Sequence, residues 1–230
     1  MRSGKAALYE TLKHQILTME REANEALDEA SLSSEYGLSR TPVREVFQRL
    51  AGEGYVEIVE KRGVRVIPMN HATLRNFFLV APMIYAAIGR LAVQNFKPTQ
   101  LDQLKETQKR FRKAVNKRDP QALALENNRF HEIMGEMAHN PYLQPSLGRL
   151  LIDHCRIGHT FFRPQNSDME QRLQLAADQH DAFISALEKR DEEEVVRLVF
   201  EHWELSRENM EIFIAPQGLQ ADALVKSPNR

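Results

Sequence analysis

Residues 31–50 constrain the fold of this chain more than any other segment. Their sequence, SLSSEYGLSRTPVREVFQRL, predicts two short amphipathic helices joined by a tight turn. The second helix begins at a Ser or Thr cap, carries Pro42 in its first turn and turns four apolar residues inward: Val43, Val46, Phe47 and Leu50. Arg40, Arg44 and, more weakly, Arg49 then point outward. The major groove of DNA is wide enough to admit a helix with this outer face.

A basic turn between two strand-like segments follows. Residues 55–59 (YVEIV) and 63–67 (GVRVI) flank the turn EKR at 60–62, which predicts a hairpin wing. Helices and hairpin together predict a winged helix-turn-helix, a DNA-binding fold. Residues 40–65 hold six Lys or Arg against four Asp or Glu, whereas the whole chain has a net charge of -1. We therefore expect sequence-specific, salt-sensitive DNA binding with weak non-specific affinity.

Cysteine content and hydropathy predict the compartment. Cys155 is the single cysteine, which excludes an intramolecular disulfide and suits a reducing cytoplasm. We expect no membrane segment, because no apolar run approaches the roughly 20 residues that a spanning helix needs. The first residues, MRSGK, lack the apolar stretch of a signal peptide. A cytoplasmic location is therefore expected.

The chain is expected to divide near residues 68–72. Beyond that point the pattern is helical throughout, which predicts a mainly α protein with an all-α antiparallel bundle after the winged domain. We expect a DNA-binding domain over 1–70, a helical effector- and metal-binding domain over 71–213 and a flexible tail over 214–230. The predicted helices span about 5–19, 28–36, 39–53, 71–96, 98–117, 119–139, 141–163, 167–190 and 191–213. Four of the breaks fall at prolines: Pro98, Pro120, Pro141 and Pro164.

Histidines on three predicted helices indicate a site inside the bundle. His131 lies four residues after Asn127, so both share one helix face, and Phe130 and Met134 make that face apolar. His180 and His202 lie in the apolar stripes of two further helices. A buried imidazole without a partner is costly, so each of the three needs a metal ion or a hydrogen bond, and both alternatives remain open here. The other histidines are expected to be ordinary polar residues: His14, His71, His139, His154 and His159.

Several motifs resemble one known family. The segment SRTPVRE at 39–45 is close to a helix signature, and Arg62-Gly63 with Val66 matches its wing. In the second half, FHEI at 130–133, AHNPYL at 138–143 and His180 followed by LEKRD at 187–191 match a metal and effector motif. From about Leu8 to Met210 the chain resembles GntR-type transcriptional regulators of the FadR subgroup, whose helical domain is called FCD.

The resemblance implies a divalent metal centre. Many FCD domains hold a divalent metal with one Asp and three His, and the matching positions are Asn127, His131, His180 and His202. Asn127 departs from this pattern, because a neutral amide oxygen is a weaker donor than a carboxylate. Imidazole-rich sites suit several transition metals, of which zinc or nickel is expected.

A second departure concerns the effector. FCD domains often carry an Arg and, four residues later, a Glu on their first helix, where this chain has Ala81 and Tyr85. Pro82, between them, is expected to kink the helix. Arg149, Arg156 and Arg163 recur every seven residues, and Arg156 is our candidate for holding an effector carboxylate; Tyr85 is a second candidate effector contact. A solvated charged stripe is the alternative.

The resemblance also implies the mode of action. A homodimer would bind a pseudo-palindromic operator in double-stranded DNA, as a repressor whose affinity changes with a small carboxylate metabolite. The expected DNA contacts are Arg40, Thr41, Arg44, Arg49, Lys61, Arg62 and Gly63. The family's basic residue at the start of the second helix is replaced by the segment Asp28-Glu29-Ala30. A metal-responsive regulator is one alternative, and a metal-dependent enzyme is a weaker one because no Glu or Asp is placed as a general base.

Overall fold

A computed structural model describes residues 4–214, including the side chains of residues 4–210. The winged part contains α1 (Gly4–Leu17), β1 (Ala26–Leu27), α2 (Glu29–Tyr36), α3 (Arg40–Glu53), β2 (Val56–Val59) and β3 (Gly63–Val66). The helical part contains α4 (His71–Asn95), α5 (Pro98–Lys117), α6 (Pro120–Met137), α7 (Leu143–Phe161), α8 (Ser167–Lys189) and α9 (Glu192–Ile214). A winged helix-turn-helix before a helical bundle is the expected fold class, which is confirmed.

Local chemistry sets the ends of the helix-turn-helix. The Asp28 carboxylate caps α2 by accepting a hydrogen bond from the backbone N–H of Ser31 at 2.7 Å. Gly37 ends α2 with a φ of +62°, and Gly54 ends α3 with a φ of +89°. These positive φ values favour glycine, because a Cβ atom is strained in the left-handed region. The two glycines thus fix where the chain leaves each helix.

The wing is a three-stranded antiparallel sheet with the order β1-β3-β2. The hairpin was predicted from the sequence, and in it Val56 faces Val66 and Val59 faces Gly63. The short strand β1 was not predicted, and it pairs Ala26 with Arg65. Two residues carry too little alternation to indicate a strand, so only the neighbouring edge of β3 reveals it.

The helical part has two apolar clusters joined through α7. The first cluster continues from the winged core, which includes Leu12 and Phe47, into α5, α6, α7 and α8. The second lies among α4, α6, α7, α8 and α9. From Leu151 to His159 every residue of α7 is buried, so this helix runs through the centre of the molecule. It contacts α4, α6 and α9 and also α1 and α3 of the winged part.

α4 continues through Pro82 as one helix. Among the described helices, α4 alone is long and apolar enough to cross a membrane by length and composition, which corrects the expectation that no segment comes close. Its apolar residues Phe77 and Ile88 lie in the second cluster, so core packing explains part of this composition. Beyond Ile214, the expected tail lies outside the described residues.

Candidate metal centre and DNA-binding surface

Three helices bring one histidine each to a common point in the bundle. His131 on α6, His180 on α8 and His202 on α9 are buried, and each offers a ligand nitrogen within 4.8 Å of the others. We call these three residues the triad. The amphipathic stripes of the three helices point their histidines inward, and helix packing turns that shared direction into a cluster. The triad has the number and kind of protein ligands found in three-histidine zinc sites that keep an open position.

The triad leaves buried nitrogen atoms without hydrogen bonds. Within the described residues, Nε2 of His131 and Nε2 of His180 are buried and have no hydrogen-bond partner. An unsatisfied buried polar atom costs about 1–3 kcal/mol. A cation between the three rings would accept both lone pairs and remove this cost. The residues present therefore fit a divalent metal ion.

Glutamine side chains orient two of the triad rings. Gln108 donates through Nε2 to the carbonyl of Ala177 at 2.9 Å, so its Oε1 atom accepts from Nδ1 of His180 at 3.2 Å. This arrangement leaves the proton of His180 on Nδ1 and a lone pair on Nε2. His202 contacts Oε1 of Gln179 through Nδ1 at 2.8 Å. Hydrogen bonds of this kind hold metal-binding histidines in the required tautomer.

Burial keeps the triad neutral. Desolvation, and then the neighbouring histidines, hold the pKa of His131 and of His180 well below the usual value of about 6.5. Burial also lowers the pKa of His202 to about 4. All three rings are therefore unprotonated near neutral pH, which is the form that binds metal.

The surroundings of the triad include a fourth histidine that sequence reasoning missed. His154 on α7 is buried, and its ring centroid lies 4.9 Å from that of His131. Asn127 lines a cavity with His154 and His202, which we call the polar cavity. Tyr85, an expected effector contact, lines a second cavity with His131 and hydrogen-bonds Nδ1 of His154 at 2.9 Å. Asn127 and Tyr85 therefore lie beside the triad, and their roles as metal ligand and effector contact stay predictions.

Arg156 does not lie at the triad, and its expected role is corrected. Its side chain is fully buried, donates from Nη2 to the carbonyl of Ile67 at 3.1 Å and pairs with Asp153 at 3.4 Å. It lines neither cavity beside the triad. Arg156 lies two residues after His154 on the same helix. Its side chain therefore points to the opposite side of α7, away from the cavity that His154 faces. Arg156 therefore joins α7 to the end of the wing, and the expected solvated stripe is also wrong at this position.

Other α7 side chains reach the winged part in the same way. His159 donates from Nε2 to the carbonyl of Leu17 at 2.9 Å, which corrects its expected place as an ordinary polar residue. The Cys155 thiol points to the same carbonyl at 3.6 Å, and burial raises its pKa to about 12. One helix thus carries His154 beside the triad and three side chains that contact the winged part.

The outer face of α3 presents the arginines that were expected to contact DNA. The side chains of Arg40 and Arg44 are 71% and 64% exposed, so they are available to a large ligand. Both lie beside one carboxylate, because Glu29 at the start of α2 accepts from Nε of Arg44 at 2.7 Å and lies 3.7 Å from Arg40. The sequence showed an acidic residue at this position but not the two ion pairs.

The remaining expected DNA contacts divide into two groups. Thr41, Lys61, Arg62 and Gly63 are exposed on α3 or at the wing turn, where Lys61 and Gly63 have positive φ values. Arg49 is instead engaged within the winged part: it pairs with Glu53 at 3.0 Å and stacks 3.7 Å from the ring centroid of Tyr9. These contacts stabilise α1 against α3.

Sequence comparison agrees with this architecture in both halves. Residues 5–66 match the gntR family of bacterial regulatory proteins, and residues 83–205 match the FCD domain. This chain belongs to the GntR family. It is therefore a transcriptional regulator with a GntR helix-turn-helix and an FCD domain, and the enzyme alternative is set aside.

Individual relatives support the same conclusion. The chain is 26% identical over 195 residues to the HTH-type transcriptional repressor RspR of Escherichia coli, covering 85% of this chain and 83% of that protein. It is 27% identical over 188 residues to the galactonate operon transcriptional repressor of the same species, covering 71% and 77%. The solved structure of E. coli McbR/YncC superposes with a TM-score of 0.75 at 20% identity, over 93% of this chain and 98% of that one. Such a distant structure supports the fold alone.

Proposed function

We propose that this GntR-family member is a repressor that holds a divalent metal in its FCD domain and changes its operator affinity with a small carboxylate effector. The observation that carries the proposal is the triad, with two buried Nε2 atoms that have no hydrogen-bond partner among the described residues. In this proposal residues 1–70 bind DNA and residues 71–213 bind the metal and the effector.

The metal would be held by the triad through nitrogen atoms, with Asn127 as a fourth, weaker ligand on the polar-cavity side. Three neutral imidazoles favour zinc or nickel over magnesium or calcium, which prefer oxygen ligands. When bound, the metal supplies a positive centre that holds an anion. A neutral ligand set leaves the full charge of the metal uncompensated, which favours an anionic effector. The galactonate operon repressor among the relatives is named for a hydroxy-acid anion of this kind.

The DNA contacts would come from the outer face of α3 and from the wing. We propose that Arg40 or Arg44 reads a base edge and that Thr41 contacts the backbone. Lys61, Arg62 and Gly63 at the wing turn would follow the backbone or the minor groove. Arg49 stays in the proposal as a DNA contact at the margin of this surface. It is placed at the margin because Glu53 and Tyr9 already hold its side chain.

A pseudo-palindromic operator requires two recognition helices, so we propose a homodimer. The exposed face of α4 supports a second copy as its partner. Leu79, Val80 and Met83 are 65%, 43% and 70% exposed on neighbouring turns of one helix. Contiguous apolar surface of this kind commonly marks a contact between chains.

The effector signal would pass along α7. An effector changes operator affinity only if it binds the DNA-competent and DNA-incompetent forms unequally. α7 carries His154 at the polar cavity and, on its other side, Arg156 and His159, which hold the carbonyls of Ile67 and Leu17. A shift of α7 on effector binding would therefore move the points that anchor the winged part.

The test joins metal content with DNA binding. Protein purified without added metal or a metal-affinity tag is analysed for its elements beside the His131→Ala/His180→Ala variant. We expect about one metal per chain in the wild type and none in the variant. Operators selected from a random duplex pool then report affinity with and without a panel of small carboxylates, and sedimentation gives the mass of the free protein.

Three results would contradict parts of the proposal. No bound metal after incubation with zinc or nickel would leave the triad as polar core. Operator affinity that responds to metal alone would favour a metal-responsive regulator. A monomeric mass for the free and DNA-bound protein would exclude the homodimer.

A further inference from the structure

His154 lies against the triad without belonging to it. The residue is 5% exposed, and it is not one of the three histidines whose ligand nitrogens lie within 4.8 Å of one another. It lines the polar cavity with Asn127, His202, Ser206 and Asn209. A buried histidine beside a predicted metal centre needs an explanation of its own, because a buried polar ring is costly unless its nitrogen atoms are paired.

Tyr85 determines which nitrogen of His154 carries the proton. The Tyr85 phenol lies 2.9 Å from Nδ1 of His154, and among the side chains described, those of residues 4–210, it has no other hydrogen-bond partner. Burial raises the pKa of Tyr85 far above its usual range, so the phenol keeps its proton. If Nδ1 also carried a proton, the phenol would lack an acceptor in a buried place. The phenol therefore donates, Nδ1 accepts, and the proton of His154 lies on Nε2.

This tautomer of His154 is the opposite of the one that His180 has in the triad. Gln108 accepts from Nδ1 of His180, which leaves the Nε2 atom of His180 with a free lone pair. His180 can therefore bind a metal through Nε2, whereas Nε2 of His154 bears hydrogen and can only donate. The two hydrogen-bond partners, a glutamine and a tyrosine, thus leave one histidine with a lone pair for a metal and its neighbour with an N–H for a hydrogen-bond acceptor.

We propose that His154, oriented by Tyr85, is the hydrogen-bond donor that recognises a carboxylate group in the polar cavity. The proposal deepens the effector-responsive function above and rests on it. Nδ1 is occupied by Tyr85, which lines the other cavity, so the Nε2 edge remains for the polar cavity. Hydrogen bonds to an ionised acceptor are the stronger kind, so one neutral donor contributes markedly to anion affinity.

The lining of the cavity indicates the class of acid. The polar cavity is small, about 20 Å³, so an acid that enters it must be short and must displace lining side chains, which excludes a long acyl chain. Asn127, Ser206 and Asn209 offer further hydroxyl and amide groups, and Asn209 also donates to Thr160 at 3.3 Å. Such groups pair with hydroxyls, so a small hydroxycarboxylate is the expected ligand.

Three variants of the zinc-loaded protein test the proposal. His154→Phe removes the donor, Tyr85→Phe keeps the ring but removes the group that orients it, and His159→Gln is a control on the same helix that keeps its own donor to Leu17. Calorimetry measures zinc stoichiometry and the affinities for acetate, L-lactate and D-galactonate. We expect all variants to keep the wild-type zinc stoichiometry. Affinity for at least one acid should fall about tenfold or more in His154→Phe, less in Tyr85→Phe and not in His159→Gln.

A spectroscopic measurement reads the tautomer independently of ligand binding. Long-range ¹⁵N–¹H correlation spectra of histidine-labelled protein should show His154 protonated at Nε2 in the wild type. Protonation of His154 at Nδ1, loss of zinc in a folded His154→Phe variant, or unchanged acid affinities in that variant would each overturn the proposal. So would a wild type that binds none of the three acids. If the wild type binds no zinc, the metal part of the proposed function fails, and the same acid titrations on metal-free protein decide the role of His154.

Discussion

The replacement of Arg156 by methionine tests whether α7 holds the winged part through a buried charge. Arg156 is fully buried, donates to the carbonyl of Ile67 at 3.1 Å and pairs with Asp153 at 3.4 Å. Burial lowers the pKa of Arg156 and raises that of Asp153. Desolvation thus disfavours the ionised form of both side chains, and each charge depends on the other for stabilisation. Methionine replaces the aliphatic part of arginine and is apolar, so Arg156→Met removes the charge and leaves only the space of the guanidinium group unfilled.

The expected loss has two parts. The Ile67 carbonyl loses its hydrogen bond from the side chain, at a cost of about 1–3 kcal/mol if it stays dry. Asp153 keeps Arg149, at 3.0 Å, but that arginine is 43% exposed and replaces only part of the lost interaction. Removing one member of a buried ion pair costs about 3–5 kcal/mol, so we expect a loss of about 3 kcal/mol. This is a large share of the 5–15 kcal/mol that stabilises an ordinary domain.

Urea unfolding followed by fluorescence measures this loss. Trp203 is the single tryptophan, and its ring lies 5.0 Å from that of His154, so its emission reports the bundle beside α7. Circular dichroism follows all helices in the same samples. Arg149→Met is the matched control and should cost less than about 1 kcal/mol, because its ion pair is partly solvated.

A second variant decides whether the buried charge is the cause. Arg156→Met/Asp153→Asn removes both charges and should recover at least about 1 kcal/mol relative to Arg156→Met. A loss below 1 kcal/mol in the single variant would refute the reasoning, as would a double variant no more stable than the single one.

Three further predictions concern the triad and the recognition helix. In metal-free protein, the free energy of unfolding should be highest above about pH 6.5 and fall towards pH 4. Histidines in the unfolded chain bind protons near pH 6.5. In the folded protein the pKa of His202 is lowered to about 4 and that of His154 to about 3, so the unfolded chain binds more protons between these values. Each should contribute about 1.4 kcal/mol per pH unit within its window, and urea titrations between pH 4.5 and 7.5 that show no slope would contradict this. Asn127→Asp should raise zinc affinity about tenfold, because a carboxylate is a stronger donor than an amide. Competition with a chelator measures this affinity, and equal affinities of variant and wild type would exclude Asn127 from the metal's surroundings. Glu29→Gln should strengthen binding to a random-sequence 30-bp duplex about three- to tenfold and steepen its salt dependence, since Arg40 and Arg44 are freed; anisotropy titrations should show no such gain for Glu35→Gln on the same helix.

Local sequence determined the winged half and the direction of the triad. Pro42 in the first helical turn, the glycines at 37 and 54 and the hairpin register are all consequences of short-range chemistry, and the structure has each of them. The inward direction of His131, His180 and His202 follows from helical periodicity on helices whose outer faces are polar. The sequence therefore indicated both the fold and the three residues of the candidate centre.

Tertiary structure alone decided the roles of α7. Periodicity identifies an inward face only where a helix also has an outward face, and α7 is buried on every side from Leu151 to His159. Its polar residues look like a solvated stripe in the sequence, yet His154 meets a tyrosine 69 positions away and Arg156 meets a carbonyl 89 positions away. Contacts over such separations depend on which helix faces pack together. Which helix faces pack together depends on the packing of the whole core, so no local pattern in α7 could reveal these contacts.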